Sequence, residues 1–294
     1  MRSVVLVLIG LIVVTGCSTA EPLLTNTPLP TDTPEPTRRP FVNALALELP
    51  GMEQVQVHNV KYSSYTGKPL PMDLYYPTDG GNATGYPVVV FVIGFRTSAY
   101  DFRNHNSFQS WGRLVAAAGM VGVAYDTEHP EDLGAVIAHL KENAEELEID
   151  PERIGLWSKS SHVPTALSYA MQEDEKDVKF LVSYYGVMLS PDNYQRELHN
   201  TQCRPWGCYG DELKDVERIR TDLPLFIVRA GRDDPDLNDI IDHFMGLVSG
   251  TDVQATYIDH EDGQHGFDTE MRDERSTEII EMTLEFMKSV FGIE

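Results

Sequence analysis

The sequence predicts one three-layer α/β domain, a mostly parallel sheet flanked by helices, and three observations lead there. Strand-like and helix-like patterns alternate through residues 41–294, which implies parallel crossovers. The run from Pro87 to Gly94 is continuously apolar, as a strand covered on both faces requires. No break in composition divides this body, and a chain of roughly 250 residues can bury 70–75% of its unfolded surface.

The elements follow in order. Val55–Ser64 and Pro69–Tyr76 flank a Tyr-Thr-Gly-Lys turn and read as an antiparallel pair. After the apolar strand, Ser107–Ala118 has helical spacing and stops at Gly119. Met120–Tyr125 reads as a strand, Glu131–Glu148 as a helix and Arg153–Trp157 as a short strand. A helix runs from about Val163 to Gln172, and Val178–Tyr185 is another buried strand. Leu223–Ala230, Leu237–Val248, Val253–Ile258 and Thr277–Phe291 continue the alternation. Residues 188–222 depart from it: a polar insertion that reads either as a lid or as a surface excursion.

Charge excludes some partners. With 23 Lys+Arg against 46 Asp+Glu, the net charge is −23. A binder of nucleic acid needs a basic face, and polybasic adsorption to an anionic membrane needs the same. Hydrophobic residues make up 41% of the chain, too many for a wholly disordered protein.

Residues 1–17 do not belong to the domain. Val4 to Val14 is apolar, broken only by Gly10, and follows Arg2. That run is shorter than the roughly 20 residues needed to span a bilayer, and it suits the core of a signal peptide. It ends in Val14-Thr15-Gly16-Cys17, which resembles the lipobox of bacterial lipoproteins. The resemblance implies cleavage before Cys17 and a lipid on its thiol, hence an extracytoplasmic protein anchored in the bacterial cell envelope. The other reading is an ordinary secretory signal with an incidental cysteine. Residues 18–40 are Thr/Pro-rich and read as a disordered tether. In polyproline II it reaches up to roughly 60 Å. Cys203 and Cys208 remain, around Arg-Pro-Trp-Gly. In an exported protein they read as a disulfide or as two free thiols.

The chemistry concentrates in three segments. Ile154-Gly-Leu-Trp-Ser-Lys-Ser160-Ser-His-Val runs from a strand into a helix. Here the chain resembles the α/β-hydrolase superfamily, in its dienelactone hydrolase and esterase-like branch, where G-x-S-x-G exposes a nucleophilic serine on a sharp turn. This chain has Ser158-Lys-Ser160-Ser-His162, so a histidine stands where a glycine is expected. A serine-rich helix cap is the plainer reading of the segment alone. His162 either modulates the site or points into solvent.

Leu223–Ala230 ends in Gly231-Arg-Asp233-Asp234. The resemblance implies a triad acid just past this strand: Asp233 is preferred, Asp234 is the alternative, and the neighbour caps the next helix. Asp262-Gly-Gln-His265-Gly-Phe267 follows the next strand, where the family keeps its general base. Ser160, Asp233 and His265 occur in the family's chain order, each after its own strand. The family's oxyanion hole uses two backbone amides. These correspond to Ser161 and to Phe95 or Arg96, after the strand ending at Gly94.

The implied activity is hydrolysis of a small-molecule carboxylic ester through an acyl-enzyme. A catalytically inactive, surface-displayed binding protein on the same scaffold is the reading from another class. No cofactor or metal motif stands out, and oligomeric state is unreadable.

Overall fold

The computed structural model describes residues 41–78, 84–94, 101–172, 177–195 and 216–293. All belong to a unit spanning Phe41–Glu294. Cys17 with its leader, the tether of residues 18–40, Phe95, Arg96, Cys203 and Cys208 lie outside the described residues.

Eight strands form one sheet in the order β1-β2-β4-β3-β5-β6-β7-β8. They are β1 (Gln56–Ser63), β2 (Pro69–Tyr76), β3 (Tyr86–Phe91), β4 (Val121–Tyr125), β5 (Ile149–Lys159), β6 (Val178–Tyr184), β7 (Leu225–Ala230) and β8 (Ala255–His260). The β1–β2 and β2–β4 pairings are antiparallel, and all the others are parallel. The helices lying wholly within the described residues are α1 (Asn106–Ala117), α2 (Asp132–Glu142), α3 (Val163–Ala170), α4 (Pro235–Val248), α5 (Phe267–Glu270) and α6 (Glu274–Phe291). The expected α/β class is the observed one.

Burial explains the pattern. Every residue of β3 and of β4 is buried, as central strands under two helical layers must be. Trp157 of β5 packs against Trp111 of α1, with ring centroids 4.8 Å apart, and Tyr184 of β6 closes the cluster at 5.5 Å from Trp157. These three large side chains weld the middle of the sheet to one helical layer.

Several boundaries differ from the expected ones, each for a local reason. β5 begins at Ile149 instead of Arg153, because Ile149 pairs with Tyr86 before a register shift. The helix expected over 131–148 stops at Glu142. Asn143 caps it, its side-chain amide donating to the His139 carbonyl at 2.8 Å, and Glu148 takes φ 52°. α4 starts at Pro235, not Leu237, since Asp234 caps it, and α6 starts at Glu274 after the cap Asp273. Short α5 has no counterpart in the sequence reading; four residues are too few for a helical period.

The 188–222 segment is less polar at its ends than expected. Met188, Leu189 and Val216 are buried, and the Arg220 guanidinium donates to the Ala170 carbonyl at 3.0 Å. Residues 196–215 lie outside the described residues.

Candidate active site

Ser160 directly follows β5, near the middle of the sheet, and has φ 53°. A non-glycine residue in the left-handed region carries strain that only its surroundings can maintain. The strain sharpens the turn: β5 ends, a single 3-10 turn (Ser160–His162) follows, and α3 departs at once with Pro164 in its first turn. The turn fits because glycines flank it. A Cβ at Gly186 would lie 2.2 Å from Val163 Cγ2, and one at Gly94 would lie 2.5 Å from Thr165 Oγ1. The first residues of α3 therefore press against bare backbone on two sides.

Ser160 Oγ lies 2.8 Å from His265 Nε2, and His265 Nδ1 lies 2.6 Å from Asp233 Oδ2. With a carboxylate beside Nδ1, the imidazole carries its proton there, so Nε2 is free to accept from the serine hydroxyl. The Asp233 side chain is 6% exposed and that of His265 46%. The acid is thus sheltered, while the imidazole faces outward. Asp233 Oδ1 also accepts the Asp234 amide at 2.7 Å, which fixes its second oxygen.

The loops bearing Asp233 and His265 are laced together. The Gly231 amide donates to the His260 carbonyl at 2.9 Å and the Arg232 amide to the Gly263 carbonyl at 2.8 Å. Gly231 is required there, since a Cβ would sit 2.3 Å from the Glu261 carbonyl oxygen. All three side chains thus emerge from the carboxyl ends of parallel strands, where open α/β sheets place their sites.

Asp234 is not brought to His265. Its carboxylate accepts the Asp236 amide at 3.0 Å and caps α4. Ser161 follows Ser160 inside the 3-10 turn, at the helix start.

His162 does not point into solvent. It is 5% exposed, lies edge-on to Phe102 (centroids 5.0 Å apart) and Phe108 (5.9 Å), and its Nδ1 accepts the Gly94 amide at 3.0 Å. Burial, then Lys159 and His105, push its pKa down to about 3, so the ring is neutral and its proton resides on Nε2. The residue in the expected glycine position thus ties the elbow to the end of the segment after β3.

A second layer escaped the sequence reading. Lys159, Tyr185 and Asp268 converge behind Ser160 and His265. The one sequence signal was Asp268 itself, an acid three residues past the histidine; nothing in the sequence marked it as buried.

The eight-stranded, mostly parallel sheet with its flanking helices resembles that of solved esterases. Esterase LipW from Mycobacterium marinum superposes with a TM-score of 0.63 at 17% identity, over 81% of this chain and 82% of that one. EstE1, a thermophilic carboxylesterase cloned from a metagenomic library, gives 0.64 at 19%, over 83% and 91%. This chain has the α/β-hydrolase fold. A bacterial heroin esterase matches the fold as well, at 0.64 and 16%, over 83% and 87%. No protein-family model matches the chain, and a comparison with curated proteins finds no match. Within the α/β-hydrolase fold, Ser160, Asp233 and His265 stand after β5, β7 and β8.

Proposed function

We propose that the protein is a serine hydrolase cleaving small-molecule carboxylic esters, of the esterase or dienelactone hydrolase-like kind. One observation carries the reading: the hydrogen-bonded chain Ser160 Oγ, His265 Nε2, His265 Nδ1, Asp233 Oδ2, on a turn strained at Ser160. The esterases that share the fold agree with it.

The chemistry follows from that geometry. As Ser160 Oγ attacks the ester carbonyl carbon, its proton passes to His265 Nε2. Asp233 stabilises the imidazolium that forms and holds the ring in the tautomer needed at the start. Charge moves onto the carbonyl oxygen, which accepts hydrogen bonds from the Ser161 amide and from a second amide, of Phe95 or Arg96. Collapse expels the alcohol, which takes the proton from Nε2. Water then repeats the sequence, releasing the acid and restoring Ser160. The test is turnover of aryl esters of graded acyl length: hydrolysis by the wild type and its loss in Ser160→Ala support the reading. Equal rates in the two folded proteins sink it.

The same proposal includes location. A signal ending at Cys17 would leave the enzyme lipid-anchored outside the cytoplasm, on the tether of residues 18–40, with Cys203 and Cys208 bridged. Metabolic labelling with a fatty acid checks the anchor: label on the wild type and none on Cys17→Ser is expected, and label on both contradicts it.

A further inference from the structure

Asp268 is 0% exposed and yet fully engaged. Its Oδ1 accepts from the Tyr185 hydroxyl, its Oδ2 accepts from Trp111 Nε1 at 2.9 Å, and Lys159 Nζ lies 3.7 Å from Oδ2. Lys159 also donates to Ser107 Oγ at 2.5 Å. A buried carboxylate without such partners would neutralise or destabilise the fold. These partners are not scattered. Lys159 immediately precedes Ser160, Asp268 lies three residues past His265, and Tyr185 directly follows β6.

Tyr185 joins this cluster to the imidazole. Its ring centroid is 4.7 Å from that of His265, with the planes tilted by 58°. Its φ is 36°, a left-handed conformation unfavourable for a bulky residue, which persists only where the surroundings over-determine it. Phe267, between His265 and Asp268 in sequence, stacks on Tyr184 at 5.4 Å and meets the Tyr185 ring edge-on at 5.6 Å. Burial, together with Asp268, holds the Tyr185 hydroxyl well above its ordinary pKa, so it remains a donor.

We propose that Tyr185 and Asp268 are positioning residues. The buried carboxylate clamps the tyrosine, and the tyrosine ring sets the height and tilt of the His265 imidazole between Ser160 and Asp233. Lys159 balances the charge of Asp268 and ties the same clamp to the nucleophile turn. The inference rests on the triad reading above and adds to it a part that touches no substrate. It also accounts for a strained tyrosine that strand geometry alone does not require.

The test uses the full-length protein with Tyr185→Phe, which keeps the ring and loses the hydroxyl, and Asp268→Asn, which keeps the shape and loses the charge. Small misplacements of a reacting group cost up to about 10²-fold in rate. A ten- to hundredfold fall in kcat with KM within about threefold is therefore expected for Tyr185→Phe. The low-field Nδ1 proton resonance of His265, which reports its bond to Asp233, should shift or broaden in the same variant. A merely structural role would lower Tm and leave both readouts unchanged. Should Asp268→Asn fail to fold, Tyr185→Phe decides alone. A folded Tyr185→Phe with wild-type kcat and an unchanged resonance overturns the proposal while leaving the triad intact. A wild type that neither hydrolyses esters nor reacts with a fluorophosphonate overturns the triad reading, and the clamp with it.

Discussion

Asp233 Oδ2 accepts a hydrogen bond from His265 Nδ1 at 2.6 Å, while its neighbour Asp234 turns away to cap α4 through the Asp236 amide at 3.0 Å. Two adjacent carboxylates therefore have separable jobs. Asp233→Asn should lower kcat by about 10³–10⁴-fold, because the amide favours the wrong tautomer of the base. Asp234→Asn should leave both activity and stability near wild type, since asparagine also caps well. Asp234→Ala should cost about 1 kcal/mol of stability and little turnover. Steady-state kinetics beside urea unfolding separates the two, and loss of kcat in Asp234→Asn would exchange the assignments.

Close packing at Gly186 gives a second outcome. A Cβ there would meet Val163 Cγ2 at 2.2 Å and Ser183 Oγ at 2.9 Å. Gly186→Ala must push the start of α3 away, and with it the Ser160 turn. Overpacking of this kind costs about 1–3 kcal/mol. We expect a lower Tm together with at least a tenfold fall in kcat/KM. A variant with an unchanged Tm would show that α3 yields freely.

Part of the candidate site is legible in the sequence. The resemblance to the α/β-hydrolases pointed to Ser160, Asp233 and His265, each after its own strand, and the structure brings the three side chains into one hydrogen-bonded row. The choice between Asp233 and Asp234 was open, since both follow Gly231 and only backbone direction separates an acid from a cap. His162 was ambiguous for a different reason. Its partners, Gly94, Phe102 and Phe108, come from 54 to 68 positions earlier, and no local pattern reports such packing. Tyr185 was hidden too: its positive φ belongs to the fold, and tyrosine at the end of a buried strand is unremarkable. Boundaries failed where side-chain caps decide them, as at Asn143, Asp234 and Asp273.

The neutral His162 imposes a pH dependence on stability. Its pKa is lowered from 6.5 to about 3 in the fold, with Lys159 and His105 facing it. Between those values the unfolded chain binds the extra proton and the folded one does not, so stability falls as pH drops from 6.5 towards 3. The linked loss is on the order of 4 kcal/mol over the whole window. His162→Gln offers an acceptor to the Gly94 amide and does not titrate. Denaturant unfolding should show a shallower decline for this variant below pH 6.5. Parallel curves for the two proteins would mean that His162 is protonated in the fold.

The proposed chemistry requires Ser160 to be an activated nucleophile. Reaction with a fluorophosphonate probe, followed by mass spectrometry of the peptide containing residues 153–171, tests that most directly. The expected result is a single adduct on Ser160 in the wild type, about 10³-fold slower labelling in His265→Ala, and none in Ser160→Ala. An unlabelled wild type with its fold intact, or an adduct that persists in Ser160→Ala, would contradict it.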